Sequence, residues 1–185
     1  RLNLDLGYHV QLLYLLFVIV LAVVFYRIQL SPNQKTGLDQ ERPKVGHPAP
    51  DFTLRNLQGN LEGLSDHKDK VIILNFWATW CAPCLEEMPA FEKLYRRYRS
   101  QRVTVLAVSL DKGDISKVKG FVDTNNLTFP VLIDSDGVAE KLYPSFTIPF
   151  TYVIDKEGRV AARVDGAKNW ASSETFAALD ILIKG

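Results

Sequence analysis

A short apolar segment followed closely by two cysteines constrains most strongly what this chain can fold into. Val71–Trp77 reads VIILNFW, a run rich in β-branched and aromatic residues. Such a run is typical of a strand buried on both faces, as in a parallel sheet. Trp80-Cys81-Ala82-Pro83-Cys84 follows, and the residues from Pro83 to about Gln101 have a helical pattern. The chain therefore predicts a strand, a turn that carries two cysteines, and a helix, in that order.

The remaining predicted elements follow the order of an α/β protein. Further strands are expected at Val103–Leu110, Val131–Asp134, Phe150–Ile154 and Arg159–Val164, and further helices at Ile115–Asn125 and Ala171–Ile183. Strands alternate with helices at first, and a hairpin follows. This order predicts a mixed central sheet with helices on both faces.

The Cys-x-x-Cys spacing has three interpretations. A closed zinc site needs two more ligands, but the chain has only 2 cysteines and 3 scattered histidines. A permanent disulfide that closes so short a loop stabilises a fold little. A redox-active pair explains more, because a cysteine at a helix N-terminus meets unpaired N–H groups and a positive dipole end, which favour the thiolate. The strand before the pair and the helix after it favour this redox interpretation.

The two sulfurs are expected to have different roles. The first sulfur in such a turn is the more exposed, so Cys81 should attack a substrate disulfide. Cys84, one turn further inward, should resolve the mixed disulfide. Pro83 costs little early in the helix, because its missing N–H would be unpaired in any case.

Glu87 is placed next to Cys84 by the helical repeat. At about 100° per residue, Glu87 lies about 60° from Cys84, beside an apolar stripe that contains Met88, Phe91 and Tyr98. A carboxyl group on the core side should have a raised pKa and could exchange protons with the Cys84 thiol. The alternative is that Glu87 reaches solvent or interacts with the helix dipole.

Pro149 follows Thr147 and Ile148 and precedes the strand that begins at Phe150. A proline there is compatible with an ordinary strand start. It is also compatible with a cis peptide bond, which is usually a deliberate structural feature. The residues alone leave both possibilities open.

The N-terminal apolar segment is predicted to be a membrane anchor. Residues 10–26 read VQLLYLLFVIVLAVVFY, in which only Gln11 is plainly polar. As a helix they would span roughly 25 Å, and extension to Gly7 and Ile28 would match a hydrocarbon core of about 30 Å. The alternative of a core helix is disfavoured because a helix of a soluble protein should show a polar face and this one shows none. A cleaved signal peptide needs small residues after the run, which FYRIQLSPNQ does not provide.

The chain is therefore divided into an anchor at residues 1–30, a linker at 31–44 and a folded domain at 45–185. The linker reads SPNQKTGLDQERPK and is polar, with proline and glycine. The formal net charge is +1, so there is no electrostatic case for a nucleic-acid partner.

Four segments together resemble the thioredoxin superfamily: GHPAPDFTL, VIILNFWATWCAPCLEEMP, LTFPVLIDSDG and IPFTYVIDKEGRV. They look most like its membrane-anchored, extracytoplasmic thiol–disulfide branch, the bacterial TlpA/ResA/CcmG-type proteins. The similarity runs roughly from Val45 to the C-terminus. It implies a thioredoxin fold with extra N-terminal strands and an inserted helix, preceded by one transmembrane helix.

The resemblance also implies roles for individual residues. Cys81 and Cys84 would be the redox pair, and Pro149 a cis proline that helps to dock the substrate chain together with Trp80, Pro83 and Ile148. Glu87 matches the buried acid of this branch. Asn75 stands where cytoplasmic thioredoxins carry a buried aspartate, so proton handling would pass to Glu87. Thr147 departs from the family, which often has glycine two residues before the cis proline.

The activity implied is a protein-disulfide oxidoreductase that needs no cofactor or metal and reduces cysteine pairs of extracytoplasmic proteins, such as apocytochromes c or copper-delivery proteins. A membrane thiol-reductant donor would supply the electrons. One alternative is a membrane-tethered metal-delivery module that uses the two thiolates as soft ligands.

A peroxiredoxin-like peroxidase is disfavoured. Peroxiredoxins place a proline and a threonine or serine at fixed positions before the attacking cysteine. Seven and three residues before Cys81, this chain has Leu74 and Ala78. At the same distances before Cys84 it has Trp77 and Cys81.

Overall fold

The computed structural model describes the backbone of residues 3–30 and 41–184, and within the first helix it describes the side chains of residues 9–24 and 26. The chain divides into two units, Arg1–Asp39 and Gln40–Gly185. Most of the predicted linker, residues 31–40, lies outside the described residues.

The first unit contains helix α1, Asn3–Leu30. The large apolar side chains described along it are exposed, from Val10 at 60% to Tyr26 at 65%. Among the residues described in full, no helix combines the length and the hydropathy that are needed to cross a membrane.

The second unit is built around a seven-stranded mixed sheet. Its strands are β1 Thr53–Asn56, β2 Leu61–Gly63, β3 Val71–Trp77, β4 Val103–Ser109, β5 Val131–Ile133, β6 Phe150–Ile154 and β7 Val160–Asp165. Their spatial order is β2-β1-β5-β4-β3-β6-β7. β4 runs parallel to β3 and to β5, whereas β6 is antiparallel to β3 and to β7. The predicted mixed sheet with a C-terminal hairpin is confirmed.

The helices of this unit are α2 Ala82–Tyr98, α3 Ser116–Thr124, α4 Val138–Leu142 and α5 Ser173–Lys184, and a single 3-10 turn covers Leu64–His67. Side chains that alternate along β3 divide the interior into two cores. Ile73 and Trp77 pack with α2, α3 and α5, and Leu74 and Phe76 pack in a second core that includes Ala139 of α4. Helices therefore lie on both faces of the sheet, as predicted.

The sequence located the principal helices and strands to within about two residues at most ends, a normal uncertainty for element boundaries. It did not locate α4, β1 or β2, because elements of five, four and three residues are too short to show a repeat. All seven residues of β3 are buried, as the apolar run predicted. The carboxyl end of this central strand leads directly to the two cysteines.

Candidate active site

Cys81 and Cys84 lie at the start of α2, joined by a disulfide, with their Cα atoms 5.3 Å apart. Cys81 is the N-cap residue in an extended conformation, and proline stands in the first turn. The Leu85 N–H donates to the Cys81 carbonyl at 3.2 Å, so the helical hydrogen bonds begin at this cysteine. The pair therefore sits at the end of α2 where N–H groups and the dipole stabilise a thiolate.

The two sulfur-bearing residues differ in exposure. Cys81 is 6% exposed and Cys84 is fully buried at 0%. A partner molecule can therefore approach Cys81 first, which agrees with the predicted order of attack. The roles themselves remain predictions that a reactivity measurement must test.

The turn before Cys81 is anchored by a buried aspartate that sequence reasoning missed. Asp111, 7% exposed, accepts hydrogen bonds from the Thr79 backbone N–H at 2.9 Å and the Thr79 hydroxyl at 2.6 Å. The Ser109 hydroxyl donates to the same carboxylate at 2.8 Å. Asp111 follows β4, so these hydrogen bonds connect the turn between β3 and the cysteine pair to the neighbouring parallel strand.

The loop before β6 faces the disulfide. The Ile148–Pro149 peptide bond is cis, and the Ile148 carbonyl oxygen lies 3.7 Å from Cys81 Sγ. Pro149 is buried and Ile148 is half-buried, whereas Trp80, which directly precedes Cys81 in the chain, is 70% exposed. The structure thus brings this loop to the sulfur that a substrate would meet, and the expectation of a cis proline is confirmed.

Glu87, three residues after Cys84 in α2, is buried at 3% exposure. Its carboxylate accepts hydrogen bonds from Asn75 Nδ2 at 3.0 Å, Trp170 Nε1 at 3.0 Å and the Lys168 backbone N–H at 3.2 Å. Burial raises the pKa of Glu87 from 4.5 to about 7, although the three hydrogen bonds oppose that rise. The predicted core-facing position of the carboxyl is confirmed, and a pKa near 7 would let it hold or release a proton near neutral pH.

Asn75 connects Glu87 to the next strand. It is fully buried and pairs in register with Thr151 of β6, whose hydroxyl oxygen accepts a hydrogen bond from Asn75 Nδ2 at 3.0 Å. Among the described residues, Asn75 Oδ1 has no hydrogen-bond partner. One amide group thus donates twice, once to the acid and once to the strand that follows the cis proline.

The segment after β7 closes the Glu87 pocket, and the sequence did not single it out. The Trp170 ring is stacked on Phe91, with ring centroids 4.9 Å apart. The Lys168 ammonium lies 5.6 Å from the centre of the Trp170 ring. A lone tryptophan in the polar stretch DGAKNWASSE was the available signal, and it did not reveal which helix the ring would cover.

Within the described part of the chain, no three histidine, cysteine, aspartate or glutamate side chains come together as a set of metal ligands.

Comparison with known proteins agrees with this geometry. The sequence profile described as the AhpC/TSA family matches residues 45–163. The chain belongs to this thioredoxin-like family. The thiol-disulfide oxidoreductase ResA of Bacillus thuringiensis subsp. konkukian is 36% identical over 159 residues, which are 86% of this chain and 91% of that protein.

Two solved structures have the same fold. A thiol:disulfide interchange protein DsbE from Chlorobium tepidum superposes with a TM-score of 0.69 at 29% identity, over 77% of this chain and 99% of that one. StoA from Bacillus subtilis superposes with a TM-score of 0.60 at 28% identity, over 71% of this chain and 97% of that one. The resemblance stated from the four sequence segments is confirmed.

This AhpC/TSA family member is a thiol–disulfide oxidoreductase that uses the Cys81–Cys84 pair. Its relatives carry that activity in their names, and its two cysteines form a disulfide at the start of α2. The family also gives its fold, a thioredoxin-like sheet with helices on both faces.

Proposed function

We propose that this oxidoreductase reduces disulfide bonds of extracytoplasmic proteins while its N-terminal helix anchors it to a membrane. The observation that carries the reductive direction is the buried carboxyl of Glu87 one helical turn from Cys84. Strongly oxidising thiol–disulfide oxidoreductases stabilise the thiolate of their reduced form. A carboxylate near Cys84 acts in the opposite sense, because it disfavours a second negative charge beside it.

The reaction begins at Cys81. Its thiolate attacks one sulfur of the substrate disulfide, and the other substrate sulfur leaves as a thiolate and takes up a proton. The product is a mixed disulfide between Cys81 and the substrate. During this step Trp80, Pro83, Ile148 and Pro149 would hold the substrate chain against Cys81.

The second step resolves the mixed disulfide. Cys84 transfers its proton to Glu87, and the Cys84 thiolate attacks Cys81 Sγ. The second substrate sulfur leaves and is protonated, and the Cys81–Cys84 disulfide forms. The substrate has then gained two electrons and two protons, and a membrane thiol-reductant donor must restore the dithiol. Apocytochromes c and copper-delivery proteins are the candidate substrates that the family resemblance suggests.

Substrate trapping tests this function. Cys84→Ala leaves Cys81 able to attack but removes the resolving thiol, so mixed disulfides should accumulate in cells and release extracytoplasmic proteins on reduction. The double variant Cys81→Ala/Cys84→Ala is the matched control and should trap nothing. Recovery of the same proteins with both variants, or of cytoplasmic proteins alone, would contradict the proposal.

The membrane anchor is supported by the apolar run at residues 10–26 and by the exposure of its described side chains, such as Phe17 at 61%. We expect the full chain to remain in the membrane fraction after salt or alkaline extraction. A fragment that begins near Val45 should be soluble and retain its redox activity. Release of the full chain by alkaline extraction, or a mature N-terminus located after Tyr26, would contradict the anchor.

A further inference from the structure

Phe146 is an aromatic residue that is almost completely exposed close to the redox pair. Its exposure is 96%, the highest among the large apolar residues described as exposed. It stands two residues before Ile148, whose carbonyl oxygen lies 3.7 Å from Cys81 Sγ. Consecutive Cα atoms are about 3.8 Å apart, so the Cα of Phe146 lies within about 7 Å of that of Ile148.

The loop that carries Phe146 is held in place on both sides of the ring. The Ser145 hydroxyl donates to the Thr147 carbonyl at 2.9 Å and accepts a hydrogen bond from Arg163 at 3.2 Å. Arg163 belongs to β7 and forms an ion pair with Asp165 at 2.6 Å. The hydrogen bonds of Ser145 and Thr147 therefore fix the backbone that presents Phe146 outward.

The Phe146 ring also has a defined neighbour. The guanidinium carbon of Arg42 lies 5.5 Å from the ring centroid, a distance at which a cation is attracted to an aromatic face. Arg42 precedes β1 and contacts the loop before β6. The ring therefore has a cation beside it, and nearly all of its surface remains accessible to another molecule.

A bound substrate lies next to the loop that carries this ring. The mixed disulfide requires a sulfur of the partner protein to be bonded to Cys81, so the partner's reacting cysteine lies beside the loop that contains Ile148. An extended chain advances about 3.3 Å per residue. The Cα atoms of Phe146 and Ile148 are at most about 7 Å apart, a distance that about two residues of an extended partner chain can span.

We propose that Phe146 selects disulfide-bearing partner proteins by binding a large aliphatic or aromatic side chain about two residues from their reacting cysteine. The inference rests on the proposed attack by Cys81 and adds a preference that the cysteines themselves do not provide. Exposed aromatic residues that a partner covers are frequent sources of binding energy. Phe146 is therefore a specificity-determining residue.

The test measures formation of the mixed disulfide in a Cys84→Ser background. Two synthetic peptides carry one cysteine activated by 5-thio-2-nitrobenzoate, with leucine or with serine two residues on either side of it. Release of the coloured thiolate reports the attack by Cys81. Each rate is divided by the rate with the small disulfide 5,5′-dithiobis(2-nitrobenzoate), which corrects for changes in the reactivity of Cys81 itself.

We expect the leucine peptide to react about tenfold faster than the serine peptide, which corresponds to about 1.4 kcal/mol. Phe146→Ala should remove most of this preference and Phe146→Leu should retain part of it. The control is Leu61→Ala on the edge strand β2, another exposed apolar residue at 65%, which should keep the full preference.

A preference that survives in Phe146→Ala, or that disappears equally in Leu61→Ala, would overturn the inference while leaving the proposed function intact. If the Cys84→Ser protein reacts with neither the peptides nor the small disulfide, the assignment of Cys81 as the attacking thiol is wrong, and the inference fails with it.

Discussion

Replacing Cys81 with serine is expected to abolish turnover, with a loss of at least about a thousandfold, because a hydroxyl is not ionised at neutral pH and cannot replace the thiolate nucleophile. Cys84→Ser should also stop turnover but should still complete one attack on a substrate disulfide. The measurement is the steady-state reduction of a protein disulfide, followed by mass spectrometry of the non-reduced protein. A mixed disulfide should appear in Cys84→Ser and be missing from Cys81→Ser.

Alkylation of the reduced wild-type protein provides an independent measurement of the same asymmetry. Cys81 is at the helix start and 6% exposed, whereas Cys84 is at 0%. Cys81 should therefore be labelled much faster near neutral pH. Equal or reversed labelling rates, or a mixed disulfide that accumulates only in Cys81→Ser, would show that the two roles are exchanged.

Replacing Glu87 with glutamine is expected to slow the resolving step by about a hundredfold at neutral pH, the lower end of the effect of a positioned general base. Glutamine retains the size of the side chain and removes its titration. The first attack by Cys81 should be much less affected. Rapid-mixing measurement of both steps across pH should show that the resolving step loses the pH dependence associated with a pKa of about 7.

The pocket can accept glutamine in this experiment. Its amide oxygen can take the Trp170 and Lys168 N–H groups that now donate to one carboxylate oxygen. Its NH₂ group would then face the Asn75 side chain, whose Oδ1 has no partner among the described residues and can accept after the amide turns. The variant should therefore fold. An unchanged pH–rate profile in a folded variant would contradict the role of Glu87.

Stability of the oxidised protein gives a second readout for Glu87. When folding raises the pKa of a carboxyl group, the contribution of that group to stability is complete at pH values below its pKa in the unfolded state. The contribution is lost as the pH rises through its pKa in the folded state. A shift from 4.5 to about 7 corresponds to about 3 kcal/mol. In denaturant unfolding, the free energy of unfolding of Glu87→Gln should therefore increase relative to that of the wild type by up to about 3 kcal/mol between pH 4.5 and pH 8. A constant difference would show that the pKa of Glu87 is not raised.

Several parts of the redox site were predictable from local patterns. The apolar run of β3 identified the central strand, because burial on both faces leaves no room for polar alternation. The helical repeat placed Glu87 on the side of Cys84, because the angle per residue in a helix is nearly constant. The position of Pro149 before a strand left the cis and trans forms open, and the family resemblance favoured cis.

Other parts depended on contacts between distant segments. Trp170 donates to Glu87 across 83 residues of sequence, and Asp111 holds Thr79 across 32. A helical repeat shows which face of α2 turns inward, but not which loop covers that face. The exposure of Phe146 likewise depends on Ser145 and Arg163, and no pattern around Phe146 indicated it.

The sequence by itself determined the strand, the cysteine turn, the helix and the chemistry that two closely spaced thiols can perform, because these depend on neighbours within a few residues. The tertiary structure alone decided that Glu87 meets three hydrogen-bond donors in a buried pocket, that the Ile148 carbonyl faces Cys81, and that Phe146 stays in solvent. The physical reason is that the burial and the hydrogen bonds of a side chain depend on the residues that surround it in the folded protein. Those surroundings are supplied here by β4, by β6 and by the loop after β7, which join α2 only when the sheet has formed.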